Sequence, residues 1–500
     1  MPRPPHILLF NPDQWRGDVL AHLGNPAAHT PTLDSLVATD AVSFSQAFCQ
    51  NPVCTPSRCS FMTGWYPHIR GHRTMYHMLH PEHGEPNLLK TLKDNGYYVW
   101  WGGKNDLVPA QHGYEPYCHI KHAPTPLDCA RWGHTPRRMF GSDRGQAWRG
   151  SPDSDTYYSF FVGRLDTESD TLFCDQDWQH VLGAIDLIRS YDGQQPLCIY
   201  LPLTYPHPEY AVEDPWFSLI NRTRLPPRIP APADWSGKPA LLQAVHRLQN
   251  MHTWTEDRWN QLRATYYGMC ARVDHQLGLI LQALRDADLY NDTALFCFSD
   301  HGDFTGDYGL VEKTQNTFED CLTRVPFIIK PPAGVPVHPG VRDALVELID
   351  MPATVEELAG IQPAHTHFGR SLLPLITDPS ITHRDAVFCE GGRLNGESHA
   401  AEQASNSFNN PEGLYWPRMT AQQSIPEHGK AVMCRTQTHK YVYRLYEKHE
   451  LYDLQADPAE LHNRIDDPAL AHVAESLRNR TLQFMVETAD VVPQTPDRRG

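Results

Sequence analysis

Short apolar runs alternate along this chain with longer segments of helical periodicity, and few folds accept that pattern. Residues 7–10, 97–101, 197–202, 294–298 and 326–329 have the length and apolar content of strands buried on both faces. Residues 32–39, 87–95, 177–190, 259–287 and 341–359 carry apolar residues at helical spacing. Strands separated by helices pair in parallel, so the expected class is α/β, a mostly parallel sheet flanked by helices. Beyond about residue 380 the texture changes. There 391–429 is polar, 441–446 and 449–452 read as short strands, and 470–487 reads as a closing helix. The expected division is a main α/β domain over 1–385 and a small α+β C-terminal subdomain with an antiparallel sheet over 386–500.

Composition removes several kinds of partner. A formal net charge of −16 leaves no basic surplus to displace counterions from nucleic-acid phosphates. That sign does not bar a small anionic ligand, because a cleft sets its own local field. No apolar run approaches the roughly 20 residues of a membrane span. The first ten residues lack the apolar core of a signal peptide, so the expected location is the cytoplasm. The cysteines show no paired spacing, which fits buried, reduced thiols. Cys118, His119 and His122 lie close together but lack the second ligand pair of a zinc site.

In an open α/β sheet, ligands bind beyond the carboxyl ends of the strands. Four expected strands run into chemistry-bearing residues there. Asp13-Gln14 follows 7–10, Gly102-Gly103-Lys104 follows 97–101, His207 follows 197–202, and Asp300-His301-Gly302-Asp303 follows 294–298. A single Asp after a strand is more often a turn or cap residue. Four such ends on one rim point to a site. Asp13, Gln14, Asp300 and His301 would offer carboxylate, amide-carbonyl and imidazole ligands to one divalent cation. Oxygen ligands suit Ca²⁺ or Mg²⁺, while the imidazole leans toward Mn²⁺ or another transition metal.

The segment Asn51-Pro-Val-Cys54-Thr-Pro-Ser-Arg58-Cys-Ser-Phe-Met-Thr63-Gly64 is the most specific motif. Pro56 suits the first turn of a helix. Cys54 then stands at a helix N-terminus, where free N–H groups and the dipole favour an anion. Arg58 follows one turn later on the same side. Cys-x-Pro-Ser-Arg with Thr63-Gly64 downstream resembles the signature of the formylglycine-dependent sulfatases, within the alkaline phosphatase-like superfamily. In that family a maturation enzyme oxidises the cysteine to formylglycine. Asp13-Gln14 looks like the family's first metal pair and Asp300-His301 like its second. Lys104 and Lys313 look like its two lysines, His207 is similar to its substrate-side histidine, and 450–463 resembles its C-terminal segment. The Asp-Gln and Asp-His pairs resemble the branch that holds choline sulfatases and phosphonate monoester hydrolases.

The resemblance implies a sulfuric ester hydrolase with one divalent metal, Ca²⁺ by family habit or Mn²⁺, bound by Asp13, Gln14, Cys54 (as formylglycine), Asp300 and His301. One hydroxyl of the formylglycine hydrate attacks sulfur, and the other expels sulfate by re-forming the aldehyde. By the same resemblance Arg58 holds the hydrate, Lys104 and Lys313 clamp the sulfate oxygens, and one of them or His207 protonates the leaving alcohol. Many family members carry Gly-Lys-x-His, whereas this chain has Lys104-Asn105-Asp106. Asn105 and Asp106 are therefore candidate substrate-binding residues, with a base role for Asp106 left open. The implied partners are a formylglycine-generating enzyme and a small sulfated substrate, either a sulfated sugar or an aryl or organic sulfate. Substrate choice would fall to 112–170, 205–254 and 391–429, where Trp132, Arg137, Trp148, Trp416 and Arg418 either meet substrate or pack loops. A phosphonate monoester or phosphodiester hydrolase using the same residues is the alternative. A catalytically silent, sulfate-binding homologue is opposed by the full set of residues present.

Overall fold

The first strand, β1 (His6–Asp13), is buried along its whole length, so it belongs in the middle of a sheet covered on both faces. It is followed by β2 (Val42–Phe48), β3 (Tyr98–Trp101), β4 (Ile120–Lys121), β5 (Phe161–Arg164), β6 (Leu197–Pro206), β7 (Tyr210–Val212), β8 (Thr293–Phe298), β9 (Phe327–Lys330) and β10 (Gly340–Glu347). This is a computed structural model describing residues 4–134, 147–165, 174–424, 427–496 and 498–499. Eight of these strands form one sheet in the order β10-β2-β9-β8-β1-β6-β3-β4. Only β9 runs antiparallel to its neighbours there; the other pairs are parallel. β5 and β7 make a separate two-stranded ribbon.

Side chains alternate across β1 and build two cores. Leu8 and Phe10 join the cluster under the helices Pro31–Thr39, Gln176–Ser190 and Glu256–Asp286. Ile7 and Leu9 join the other, with Phe61 and Met62 of Cys54–Thr63 and Met351 and Val355 of Asp350–Ala359. Helices on both faces are what the alternating pattern predicts. The helix expected over 341–359 is a correction, because its first half is the edge strand β10 and only Asp350–Ala359 is helical. Val341 is exposed and Arg342 buried, an alternation suited to a strand paired with β2. The open edge of β2 outweighed the local helical spacing.

Beyond the main sheet, β11 (Val387–Gly391), β12 (Ala431–Arg435), β13 (His439–Arg444) and β14 (Glu450–Asp453) form an antiparallel sheet in that order. The helix Ala471–Glu487 packs on it, with Phe484 stacked on Phe388 at a centroid distance of 3.9 Å. β11 and β12 are neighbours, yet the long excursion 392–430 joins them. No helix among the described residues is long and apolar enough to cross a membrane.

A buried ion cluster ties the two sheets together. Arg384 binds Glu347 at 3.1 Å and Asp350 at 3.1 Å, and both carboxylates are fully buried. Burial alone would raise the Asp350 pKa, but Arg384 outweighs it and holds the carboxyl well below the usual range. Its stabilisation is therefore complete above the unfolded pKa of about 3.9 and is lost as pH falls through the native value. Arg384→Ala is expected to cost about 3–5 kcal/mol, because two buried carboxylates lose their partner. A lower urea midpoint at unchanged slope is the readout, and a loss under about 1 kcal/mol would refute the role.

Candidate active site

β8, β1, β6 and β3 are consecutive in the sheet, so their carboxyl ends lie side by side. Asp13 ends β1, Asp300 and His301 follow β8, His207 follows β6, and Lys104 follows β3. Gly103 permits the last of these approaches. It holds φ +85°, and a Cβ there would stand 2.0 Å from the Pro202 carbonyl. Lys104 N donates to that same carbonyl at 2.9 Å.

The helix Cys54–Thr63 begins at this rim and is buried along its full length. No side chain caps its N-terminus, so the positive end of its dipole is left to whatever occupies position 54. Cys54 Sγ is 3.2 Å from His301 Nε2, 3.6 Å from Asp13 Oδ1 and 3.6 Å from Lys104 Nζ. One turn on, the guanidinium of Arg58 organises the floor. It donates to Asp300 Oδ2 at 3.0 Å, Asp13 Oδ2 at 2.9 Å, Asn11 Oδ1 at 2.9 Å and Tyr200 Oη at 3.2 Å.

The ligand atoms of Asp13, Cys54, Asp300 and His301 all lie within 4.8 Å of one another, and all four residues are buried. This donor set fits a divalent cation. His301 pairs its Nδ1 with the Gly302 carbonyl at 2.9 Å, which leaves the Nε2 lone pair toward Cys54. Gln14 adjoins the cluster, with its N–H on Asp300 Oδ1 at 3.1 Å. Its amide is oriented by two partners. Nε2 donates to Asp303 Oδ2 at 2.5 Å, and Oε1 accepts from Lys313 Nζ at 2.7 Å. The second lone pair on Oε1 leaves room for a metal. Gln14 takes φ +70° and Glu312 φ +68°, rare values for side-chain-bearing residues that cluster at functional sites.

Charges at the site are set by burial working against neighbours. For Asp13, burial raises the pKa, but Lys104 and Arg58 outweigh it and keep the carboxylate ionised. For Lys104, burial lowers the pKa, but Asp106 (2.8 Å) and Asp13 (2.6 Å) outweigh it and hold the ammonium charged. Lys313 is likewise held charged against burial, with Glu312 2.7 Å away. His207 goes the other way. Burial, then Lys313 and Lys104, push it well below its usual value, so the ring is neutral. Its Nδ1 pairs with the Pro208 carbonyl at 2.5 Å. Burial and the Asp13 charge push the Cys54 thiol far up.

Above this floor opens a cavity of about 540 Å³. Cys54, Lys104, Asp106, His207 and Lys313 line it, as the sequence predicts. Asn105 is a correction. Its amide is spent on its own loop, donating to Val108 O at 2.8 Å and accepting from the N–H groups of Leu107 and Val108. Of the candidate loop residues, Arg418 lines the cavity. Trp416 instead stacks on Tyr158, and Trp132 binds Asp186 at 2.8 Å. Trp148 is half-buried and outside the cavity lining, and Arg137 lies outside the described residues. Cys118, His119 and His122 are not drawn together: Cys118 faces the Tyr114 carbonyl, and His122 pairs with His180 at 3.0 Å. Sequence reasoning missed Met75, Met78, Thr204, Glu402 and Tyr415 in the wall, and Asp303 as the residue that orients Gln14.

Comparison with known proteins agrees with this geometry. The chain is 26% identical over 476 residues to the choline-sulfatase of Rhizobium meliloti (strain 1021), covering 93% of this chain and 83% of that one. It is 24% identical over 532 residues to a multifunctional alkaline phosphatase superfamily protein of Trinickia caryophylli, covering 97% and 96%. The phosphonate monoester hydrolase of Silicibacter pomeroyi shares its fold, with a TM-score of 0.73 at 21% identity over 98% and 96% of the two chains. The sequence profile of the Sulfatase family matches residues 5–361, and the chain belongs to that family.

Proposed function

We propose that this protein hydrolyses a sulfate ester through a formylglycine made from Cys54. The observation that carries the reading is the setting of Cys54. It stands at an uncapped helix N-terminus, against a cation-ready cluster, on the floor of a cavity that also presents Lys104, Lys313 and His207. As a thiol this residue has little to offer, since thiolysis of a sulfate ester would leave a dead-end thiosulfate. As a hydrated aldehyde it offers one hydroxyl to attack sulfur and a second to expel sulfate.

A divalent cation bound by Asp13, Gln14, Asp300 and His301 would lower the pKa of a hydroxyl at position 54. Three oxygen donors suit Ca²⁺ and the imidazole suits Mn²⁺, a choice that elemental analysis of purified protein decides. Arg58 holds Asp13 and Asp300 in register and would meet the modified side chain one turn away. Lys104 and Lys313 draw the sulfate oxygens between them and neutralise their charge. A bound anion also offsets Lys313 and Lys104, whose charges add to burial in keeping His207 neutral. Proton uptake on its Nε2 then becomes easier, and His207 is placed to protonate the leaving alcohol. Lys313→Ala is expected to lower kcat/KM for 4-nitrophenyl sulfate about 10²- to 10³-fold, the usual cost of one preorganised charged contact. A change below threefold would remove Lys313 from the mechanism.

On this reading the chemistry belongs to 1–385, while 386–500 supplies part of the substrate wall. All twelve cysteines are free and buried, which supports a reducing compartment such as the cytoplasm. Mass spectrometry of the peptide carrying residue 54 is the direct test. The expected product is the aldehyde formed by a formylglycine-generating enzyme, and an intact thiol in active protein would sink the mechanism. The relatives also favour a second assay, 4-nitrophenyl phenylphosphonate against 4-nitrophenyl sulfate. The sulfate should give the higher kcat/KM; a phosphonate preference of orders of magnitude would reassign the substrate but leave the site intact.

A further inference from the structure

Arg418 is unlike the other cations of the cavity. Its side chain is 92% buried, yet Nε and Nη1 have no hydrogen-bond acceptor among the described residues. Its contact with Glu312 Oε2 is an ion pair at 3.4 Å without hydrogen-bond geometry. Glu312 is shared, because its other oxygen lies 2.7 Å from Lys313 Nζ. Glu402, the other carboxylate near the guanidinium, is already engaged by Met75 N at 3.0 Å and Gln315 Nε2 at 2.6 Å. A buried guanidinium with idle donors is costly, and such groups normally find a partner.

We infer that Arg418 binds a second anionic group on the substrate, beside the sulfate that is cleaved. The inference rests on the sulfatase reading of the same cavity and names the class of its substrate: a sulfate ester of an alcohol that also carries a carboxylate or a further sulfate. A guanidinium has donors only, so it selects acceptors, and its fork matches a planar or tetrahedral oxyanion. Glu312 ties the two positions together, since it touches both Lys313, on the scissile sulfate, and Arg418. Leu414, Met419, Met75 and Met78 line the same cavity and give the carbon skeleton an apolar wall. An acidic sulfated sugar has that combination of apolar ring face and paired anions. A quaternary ammonium ester does not, because its cation would face Arg418.

The test is a ratio of specificity constants in matched substrate pairs. Glucosamine N,6-disulfate is compared with N-acetylglucosamine 6-sulfate, and glucuronate 2-sulfate with glucose 2-sulfate. The wild-type protein should prefer the doubly anionic member of at least one pair, and which pair responds tells a sulfate from a carboxylate. In Arg418→Ala that preference should fall about 10- to 100-fold, the cost of one charge-assisted hydrogen-bonded contact. Arg418→Lys, which keeps the charge but loses the fork, should fall between. Circular dichroism of both variants separates misfolding from lost recognition, because misfolding lowers both members of a pair alike. A wild-type protein with no preference for a second anion, or a ratio that moves less than about threefold in a folded Arg418→Ala, overturns the inference. Cleavage of 4-nitrophenyl sulfate in the same preparation shows whether the sulfatase reading survives that failure.

Discussion

Cys54→Ala is expected to abolish turnover, with kcat for 4-nitrophenyl sulfate falling about 10⁴- to 10⁶-fold, as when an enzyme loses its nucleophile. No other side chain can substitute. The groups nearest Sγ are His301 Nε2 and Asp13 Oδ1, both in the cation-ready cluster, and Lys104 Nζ, an ammonium paired with Asp13. The protein should stay folded, because the lost thiol bordered an open cavity rather than a closed core. A melting temperature within a few degrees of wild type, beside dead kinetics, is the expected pair of results. Residual activity above a tenth of wild type would mean that some other residue attacks sulfur.

Arg58→Ala should fail differently, by unfolding. Arg58, Asp13 and Asp300 are wholly buried, and the guanidinium bridges both carboxylates, with Lys104 also on Asp13. Removing it leaves buried Asp300 without its cationic partner and Asp13 with Lys104 alone, a loss of about 3–5 kcal/mol. Asn11 and Tyr200 lose their donor at the same time. Against a typical total stability of about 5–15 kcal/mol, that loss is large enough to lower soluble yield. Arg58→Lys should recover part of the stability, since one ammonium cannot reach all four acceptors. Urea unfolding of the three proteins measures it, and an Arg58→Ala variant within 1 kcal/mol of wild type would show that the ion cluster is not structural.

Much of this site could be read before any coordinates, for a definite reason. Asp13, Lys104, His207 and Asp300-His301 each follow an apolar run, and a buried parallel strand leaves a local trace in sequence. That those four strands would be neighbours followed from the rule that ligands collect at strand ends. What escaped was nonlocal. The direction of β9 depends on pairing with β2 and β8, and the strand character of 340–347 depends on the free edge of β2. Asn105 looked like a ligand because it adjoins Lys104, but sequence adjacency does not reveal that its amide turns back to Val108. Asp303 was visible as the last residue of a polar run, yet its task of holding the Gln14 amide needs the ends of β1 and β8 brought together. Burial raises the pKa of that carboxyl to about 6, while Thr305, Tyr210 and Gln14 donate hydrogen bonds to it. Arg418 could be named only as one of several loop residues that either meet substrate or pack, because its polar stretch carries no periodic signal.

The excursion 392–430 separates two things that many enzymes cannot vary apart. Neighbouring antiparallel strands need only about two to five residues to join them, and β11 and β12 pair in unbroken register across the long excursion. That segment supplies Glu402, Ser405, Leu414, Tyr415, Arg418 and Met419 to the cavity, whereas Arg58 and the cluster of Asp13, Cys54, Asp300 and His301 come from elsewhere. The entropy of closing a loop rises only slowly with its length, so a change in length costs little beyond the contacts that Arg418, Met419, Ala421 and Gln422 bury. Grafting it between relatives should therefore transplant leaving-group preference while the bond-breaking apparatus is inherited intact. A lineage built this way can diversify its diet without reinventing its teeth.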